Sequence, residues 1–351
     1  MHVSSAESRE WTVTERRQAV TLRQVAAQAG VSRQTVSNVL NAPERVEETT
    51  LRKVQAAIES LGYQPNRTAR SLATRQAGLI GYCLARHPGR SLFMDPFLHT
   101  LTEAIERTGR RMLVFTAPDG ANGLATYADL IAQRAVDGFI LSDTVGDDPR
   151  HAWLAGRGIP FASFGRTWPA QGEQPGPWVD VDGAGACAEM VGRLHAAGHD
   201  QIAFVGWCDP VPMGAAHDRR RGWQEECRRL GLSEQSACAD SDSMQAAARA
   251  TAVLLDEANP PTAIVAASDL LAVGVLTEVR RRKLRPGHDI WVTGFDDSVL
   301  AGSVDGGLTT VSQPTAGITS ALVRLLDTGA ERSGGVLLRG RIVARGSAPI
   351  D

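Results

Sequence analysis

Lysine is almost missing from the 351 residues: Lys53 and Lys283 are the only two among 37 basic side chains, a skew that reflects genome composition rather than chemistry. Cysteine is scarce too. Cys83, Cys187, Cys208, Cys227 and Cys238 make an odd count with no C-x-x-C. That argues against a disulfide framework or a zinc ribbon and fits a reducing cytosol. No apolar run reaches the roughly 18–20 residues of a membrane span. The opening MHVSSAESREWTVTERRQAV has no apolar core and is dotted with charge, unlike a secretory signal. Aromatics are only 5% of the chain, yet 43% of it is hydrophobic, which excludes wholesale disorder. At about 100–200 residues per domain, two or three domains are expected.

What is present begins with a charge asymmetry hidden by the net charge of -2. Residues 1–77 hold 11 Lys+Arg against 7 Asp+Glu, while the remainder holds 26 against 32. A small basic head on a larger acidic body hints at nucleic-acid contact. Residues 1–19 are polar and aperiodic and read as a flexible tail. Thr21 is placed to cap a helix with Gln24 as its capping-box partner, and Leu22, Val25, Ala26 and Ala29 share one helical face. Gly30 breaks that helix, with Val31 plugging the gap beneath it. Ser32 caps a second helix whose buried stripe is Val36, Val39 and Leu40, and Asn41 and Pro43 end it. A third helix is expected from about Glu47 to Leu61, closed by Gly62. Three short helices, the first two joined by a glycine turn, make a helix-turn-helix unit over residues 20–64. In the segment 65–77, Pro65 stops the third helix and Asn66 can cap a short new one. That helix has no apolar stripe and needs another chain or DNA as its partner.

From Gly78 the texture alternates. Strand-length apolar runs lie at Gly78–Leu84, Met112–Thr116, Gly138–Leu141, Pro160–Phe164, Ile202–Gly206, Thr262–Ala266 and Ile290–Gly294. Helical patterns such as Phe97–Arg107, Ala184–Ala197, Asp218–Leu230, Met244–Glu257 and Leu270–Arg282 fall among them. Such alternation predicts doubly wound parallel sheets, here an α/β core of two subdomains with a ligand cleft at the strand C-termini.

The run TLRQVAAQAGVSRQTVSNVLNAPERVEETTLRKVQAAIESLGYQPNRTARSLATRQAGLIG, Thr21 to Gly81, resembles the head of the LacI/GalR family of bacterial transcriptional regulators. Downstream, GHDQIAFVG, DRRRGW, AIVAASDLLAVGVL and VTGFDDS resemble the landmarks of that family's sugar-binding core, so the likeness covers about residues 20–350. It implies an N-terminal all-α DNA-binding head on a periplasmic-binding-protein-like core, 78–351. The expected subdomains are 78–177 plus 308–340 and 178–307 plus 341–351. It further implies a cytoplasmic homodimer on a pseudo-palindromic operator, most simply a repressor released by a mono- or disaccharide, with no cofactor and no metal. The C-terminal RGRIVARGSAPID shows no heptad for a tetramer.

Arg33, Gln34 and Asn38 sit on the face of the second helix that meets base edges, Arg suiting guanine and the amides adenine. They match the family's base-reading positions, although the family often has Arg at the third, so Asn38 should shift operator preference. Thr21, Ser32, Thr35, Ser37 and Asn41 are candidate phosphate contacts. By resemblance Asn66, Ala69 and Leu72 form the hinge helix, with Leu72 a wedge between base steps in the minor groove. In the core, Asp296 is the family-matched effector ligand and Arg219, three residues before Gly222-Trp223, is the pocket arginine. Ser268 stands where the family commonly has Asn. Asp269 either touches ligand or caps the helix that follows. Arg166 stands where many relatives have Asp. Phe97 and Trp207 either stack on a sugar face or belong to the core.

Enzyme-like features are weak. G-A-G-A-C-A after Asp182 imitates a dinucleotide fingerprint, but the preceding strand carries acids that would repel a pyrophosphate. His195 and His199 lack the H-E-x-x-H glutamate. Asp296 and Asp297 are adjacent and point opposite ways, so they cannot flank one glycosidic bond. No G-x-S-x-G or Walker motif occurs. A sugar-binding protein or carbohydrate-processing enzyme without a DNA role is the alternative, and residues 20–75 oppose it.

Overall fold

The computed structural model describes residues 20–63, 76–84, 92–168, 173–207, 214–327 and 334–350, without the Asn41 side chain. The chain divides into two compact units, Met1–Gln76 and Ala77–Asp351.

The first unit is built from helices α1 (Leu22–Ala29), α2 (Arg33–Asn41) and α3 (Glu48–Leu61). Its boundaries follow the local chemistry. The Thr21 backbone N–H donates to Gln24 Oε1 at 2.8 Å and the Gln24 N–H to Thr21 Oγ1 at 3.4 Å, closing a capping box. Gly30 ends α1 in the left-handed region at φ 65°, and Val31 N–H returns to the Ala26 carbonyl. Val25, Ala26, Val36, Val39, Val54, Ala57 and Tyr63 form the buried centre.

In the second unit a six-stranded parallel sheet is ordered β11-β5-β4-β3-β1-β2, with β1 Leu79–Leu84, β2 Arg111–Thr116, β3 Gly138–Leu141, β4 Phe161–Phe164, β5 Pro177–Val181 and β11 Gly334–Leu338. A four-stranded parallel sheet is ordered β7-β6-β8-β9, with β6 Ile202–Trp207, β7 Ser236–Ala239, β8 Ala263–Ala266 and β9 Trp291–Thr293. A short antiparallel pair, β10 (Thr310–Ser312) with β12 (Arg341–Val343), completes it. The helices used below are α4 (Met94–Glu106), α7 (Gly183–Ala196), α8 (Ala215–Leu230), α10 (Asp269–Arg281) and α12 (Thr315–Asp327). This is the expected pair of doubly wound α/β layers.

Four details depart from the sequence reading. The strand at 177–181, assigned from 178 onward to the second subdomain, pairs with β4 and β11 in the first sheet. Residues 308–312, assigned to the first, bridge instead to Thr293 and Asp296. The crossings therefore fall after β5, after β10 and between β11 and β12. Helix α4 begins at Met94, ahead of the expected Phe97, because Pro96 lies in the first turn, where a missing N–H costs nothing. Cys238 is disulfide-bonded to a partner outside the described residues, whereas Cys83, Cys187 and Cys227 are free thiols. The odd cysteine count leaves room for such a pair, short of a framework.

Candidate functional site

Ser32 fixes the start of α2: its Oγ accepts the Thr35 N–H at 3.0 Å and shares a 2.9 Å hydrogen bond with Thr35 Oγ1. Val36 and Val39 then turn inward, which leaves Arg33, Gln34 and Asn38 exposed on the opposite face. The Gln34 amide donates to Asn38 Oδ1 at 3.1 Å, so the two amides are oriented together. Helix α1 is tied to α3 through Gln28 Nε2 donating to Ser60 Oγ at 3.0 Å. Among the phosphate candidates, Thr21 and Ser32 are exposed but already use their hydroxyls as caps. Thr35 and Ser37 are half-buried. The Asn41 side chain, and all of Asn66, Ala69 and Leu72, lie outside the described residues.

In the core, the effector candidates gather at the carboxyl ends of β6, β8 and β9, where open parallel sheets hold their ligands. Helix α8 can lie against α7 only because residue 222 is glycine: a Cβ there would sit 2.0 Å from the Ala184 carbonyl oxygen. That approach aims Arg219 at the strand ends. Its guanidinium donates to the Ala267 carbonyl, lies 3.6 Å from the centroid of the Phe295 ring and stands 3.6 Å from Asp296 Oδ1. Asp296 has φ 113°, a left-handed conformation that costs a non-glycine residue about 1–3 kcal/mol. It is held there by its own N–H donating to the Val311 carbonyl and by Gln313 Nε2 donating to Oδ1 at 2.6 Å. A strained carboxylate beside a guanidinium at a strand end is an acceptor–donor pair suited to hydroxyl groups.

Asp269 does not face ligand. It is 1% exposed, and its carboxylate accepts the Ser298 N–H at 2.6 Å and the Thr310 hydroxyl. Burial, reinforced by the nearby Asp296 charge, pushes its pKa up to about 7. The native state thus holds a proton that the unfolded chain releases near pH 4, so this group's stabilising contribution is complete below about pH 4 and lost as pH rises through 7. We expect Asp269→Asn, which keeps the oxygen and the shape, to gain stability over the parent at pH 8 but not at pH 4. Denaturant unfolding of both proteins across that range checks it, and a constant difference would contradict it.

Arg166, taken from the sequence as an effector ligand, is instead an ion-pair centre. Gly165, at φ 103° with no room for a Cβ beside Thr144 Oγ1, launches it from β4. Its Nε donates to Asp180 Oδ2 at 2.7 Å and a terminal nitrogen to Asp218 Oδ2 at 3.1 Å, beneath the rings of Trp168 and Trp178. Asp218 also accepts the Ala184 N–H and Arg221. The guanidinium therefore joins the first sheet to the helix that bears Arg219. Burial raises the Asp180 pKa, and the Arg166 charge opposes that. Removing Arg166 leaves two nearly buried carboxylates facing each other. Arg166→Ala should cost about 2–4 kcal/mol and lower the melting temperature by roughly 5–15 °C. Adding Asp180→Asn should recover part of the loss. An unchanged calorimetric midpoint would contradict the pairing.

Of the two readings of Phe97 the core one holds: the ring is fully buried and stacked on Phe164 with centroids 4.9 Å apart. Trp207 is half-buried at the end of β6. Asp180, Asp218, Asp242 and Gln313 were not singled out from the sequence. Asp180 is an acid of the strand before G-A-G-A-C-A, and Asp218 an acid in the first turn of an arginine-rich helix. Among the described residues no cluster of three or more His, Cys, Asp or Glu is arranged to hold a metal, and no helix is long and apolar enough to cross a membrane.

A capped helix-turn-helix head and a two-layered core with polar groups at its strand ends define a DNA-binding regulator with a small-molecule cleft. Residues 21–66 match the model for bacterial regulatory proteins, lacI family, and residues 191–348 match that for a periplasmic binding protein-like domain. The chain is 32% identical over 317 residues to the HTH-type transcriptional regulator CelR of Thermobifida fusca, covering 89% of this chain and 92% of that one. It shares its fold with a CelR–cellobiose complex (TM-score 0.69, 27% identity, 94% and 100% of the two chains). It shares it also with a Lac repressor dimer bound to operator and the anti-inducer ONPF (TM-score 0.76, 27% identity, 94% and 99%). The chain belongs to the LacI family of transcriptional regulators.

Proposed function

We propose that this regulator is a homodimeric repressor that binds a pseudo-palindromic operator and is released from it by a mono- or disaccharide. The observation that carries this reading is the exposed trio Arg33, Gln34 and Asn38 on a helix whose opposite face is fixed by burial. Arg33 reads a guanine, and Gln34 and Asn38 read adenine edges. Thr35, Ser37 and the cap hydroxyls set register on phosphates. Asn66, Ala69 and Leu72 form a hinge that folds on the minor groove, in the cytoplasm where the operator lies. Arg219 and Asp296 take the sugar. The cellobiose on a CelR structure and the operator on the Lac repressor dimer support this reading by analogy.

In the mechanism, the core has two states, and only one brings the hinges of a dimer close enough to order on DNA. The effector shifts the balance by binding one state better, typically by about 1–3 kcal/mol. On this reading the cleft binds the effector and does not transform it. The test is fluorescence anisotropy of DNA from upstream of the protein's own gene, at fixed salt. Tight binding weakened by one sugar of a panel is expected. Absence of specific binding with and without every sugar would contradict the proposal.

A further inference from the structure

The loop that carries Asp296 has a second strained residue. Asp297 follows at φ 52°, so two consecutive non-glycine residues stand in the left-handed region. Such backbone persists only where the surrounding structure over-determines it. Side chains from three distant segments hold residues 296–298. Gln313 donates to Asp296, and the Asp269 carboxylate accepts the Ser298 N–H. Asp269 is itself fixed at the start of α10 by Ser268. That hydroxyl, 1% exposed, accepts the Leu271 N–H at 3.2 Å as the helix cap and donates to Asp242 Oδ1 at 2.7 Å. The third restraint is Arg345, a terminal nitrogen of which donates to Asp297 Oδ1 at 2.7 Å.

Arg345 lies two residues beyond β12, the strand that follows the third crossing. Its other terminal nitrogen donates to the Leu308 carbonyl at 2.8 Å, and its backbone N–H donates to Thr309 Oγ1 at 2.7 Å. Gly307, at φ 74°, clears the path, since a Cβ there would lie 2.6 Å from Arg345 Cδ. The guanidinium fork thus joins the stretch before β10 to the effector loop, filling two separate acceptors at once. Strand β12 in turn pairs with β10, Ile342 opposite Val311, and the Val311 carbonyl accepts the Asp296 N–H. Residues 341–345 therefore reach the loop twice, at Asp296 through β10 and at Asp297 directly.

We propose that Arg345 is a positioning residue for effector binding: by holding Asp297 it keeps Asp296 in the backbone conformation that presents its carboxylate to the ligand. The inference rests on the reading of the Arg219–Asp296 cleft as the effector site. Arg345 acts through the Asp297 side chain on the backbone and touches no ligand. Without that bond, Asp297 relaxes toward the right-handed or extended regions that L-residues prefer. The Asp296 carboxylate then turns away from Arg219. The segment that crosses between the sheets thereby becomes part of what sets effector affinity.

The experiment is isothermal titration calorimetry of the full-length protein with cellobiose, maltose and glucose, with the thermal midpoint of every variant measured alongside. For the sugar that binds the parent, Arg345→Ala is expected to weaken binding about tenfold, the scale of the strain it restrains. Arg345→Lys keeps the charge without the fork and should lose less. Asp297→Ala should weaken binding as much as Arg345→Ala, and the double variant no more than either, because both remove one contact. Asp297→Gly should bind more tightly than Asp297→Ala, since glycine takes a positive φ readily. A role for Arg345 through its charge alone would treat the two alike. Arg282→Ala, which removes ion pairs to Asp256 and Glu278 at the far end of α10, should lose stability yet keep the parent's affinity, which separates positioning from a general loss of stability. Where Arg345→Ala fails to fold, Arg345→Lys and the two Asp297 variants carry the same comparison. If the Arg345 and Asp297 variants keep the parent's affinity while Asp296→Ala loses it, the positioning role is overturned and the effector site stands. Additive losses in the double variant, or equal affinities of Asp297→Gly and Asp297→Ala, overturn it as well. If no probe binds the parent, the effector reading itself falls, and this proposal with it.

Discussion

Asp296→Ala is expected to abolish the response to the effector, weakening its binding by 100-fold or more while the protein remains on its operator. The carboxylate is placed at a cost, in a left-handed conformation, and is held by the Gln313 amide at 2.6 Å beside the Arg219 guanidinium. Hydrogen bonds to a charged group contribute about 1.5–3 kcal/mol each. Loss of two such bonds to a sugar diol therefore removes about 3 kcal/mol or more, and each 1.4 kcal/mol is tenfold. The head has its own buried centre and its own caps, and none of them involves residue 296. Asp296→Asn keeps the shape without the charge and should show an intermediate loss. Calorimetric titration with the effector, alongside operator anisotropy, separates the two properties. An effector affinity unchanged in Asp296→Ala would remove Asp296 from the site.

Arg33→Ala is expected to weaken operator binding by about 10- to 100-fold, because a bidentate arginine–guanine pair contributes about 1–3 kcal/mol of discrimination. The side chain is exposed and follows the Ser32 cap, so its removal leaves α2 intact. The loss should be confined to operators bearing the guanine: on a variant with that pair replaced, parent and Arg33→Ala should bind alike. Equal losses on both operators would mean that Arg33 contacts phosphate instead. Asn38, oriented by Gln34, should behave in the same way toward a neighbouring adenine.

The head was legible because each of its decisions is local. A capping box spans four residues, a glycine C-cap one, and the buried stripe recurs within two turns, so Thr21, Gly30, Ser32 and Gly62 announce the helices directly. The parallel sheets were legible from apolar runs alternating with helical patterns. Strand β7, Ser236–Ala239, was missed because Ser-Ala-Cys-Ala is short and has no β-branched residue. The β10–β12 pair was missed because three residues on each side carry too little pattern. The site was half legible. Arg219 and Asp296 stand in recognisable motifs, but the partners that decide what each side chain can do are remote in sequence. Asp180 and Asp218 lie 14 and 52 residues from Arg166, and Asp242 lies 26 from Ser268. Pairings across the ends of different strands depend on sheet order, which no local window contains. For that reason Arg166 reads as a candidate ligand in the sequence and Asp269 as either a ligand or a helix cap, and both prove to be internal struts.

Cleft and operator are expected to be coupled, and linkage makes that coupling measurable from either side. The effector affinity of the dimer should be titrated with and without saturating operator. Operator is expected to weaken effector binding by the same factor, about 5- to 150-fold, by which effector weakens operator binding. An effector that binds with one affinity whether or not the operator is present would contradict it.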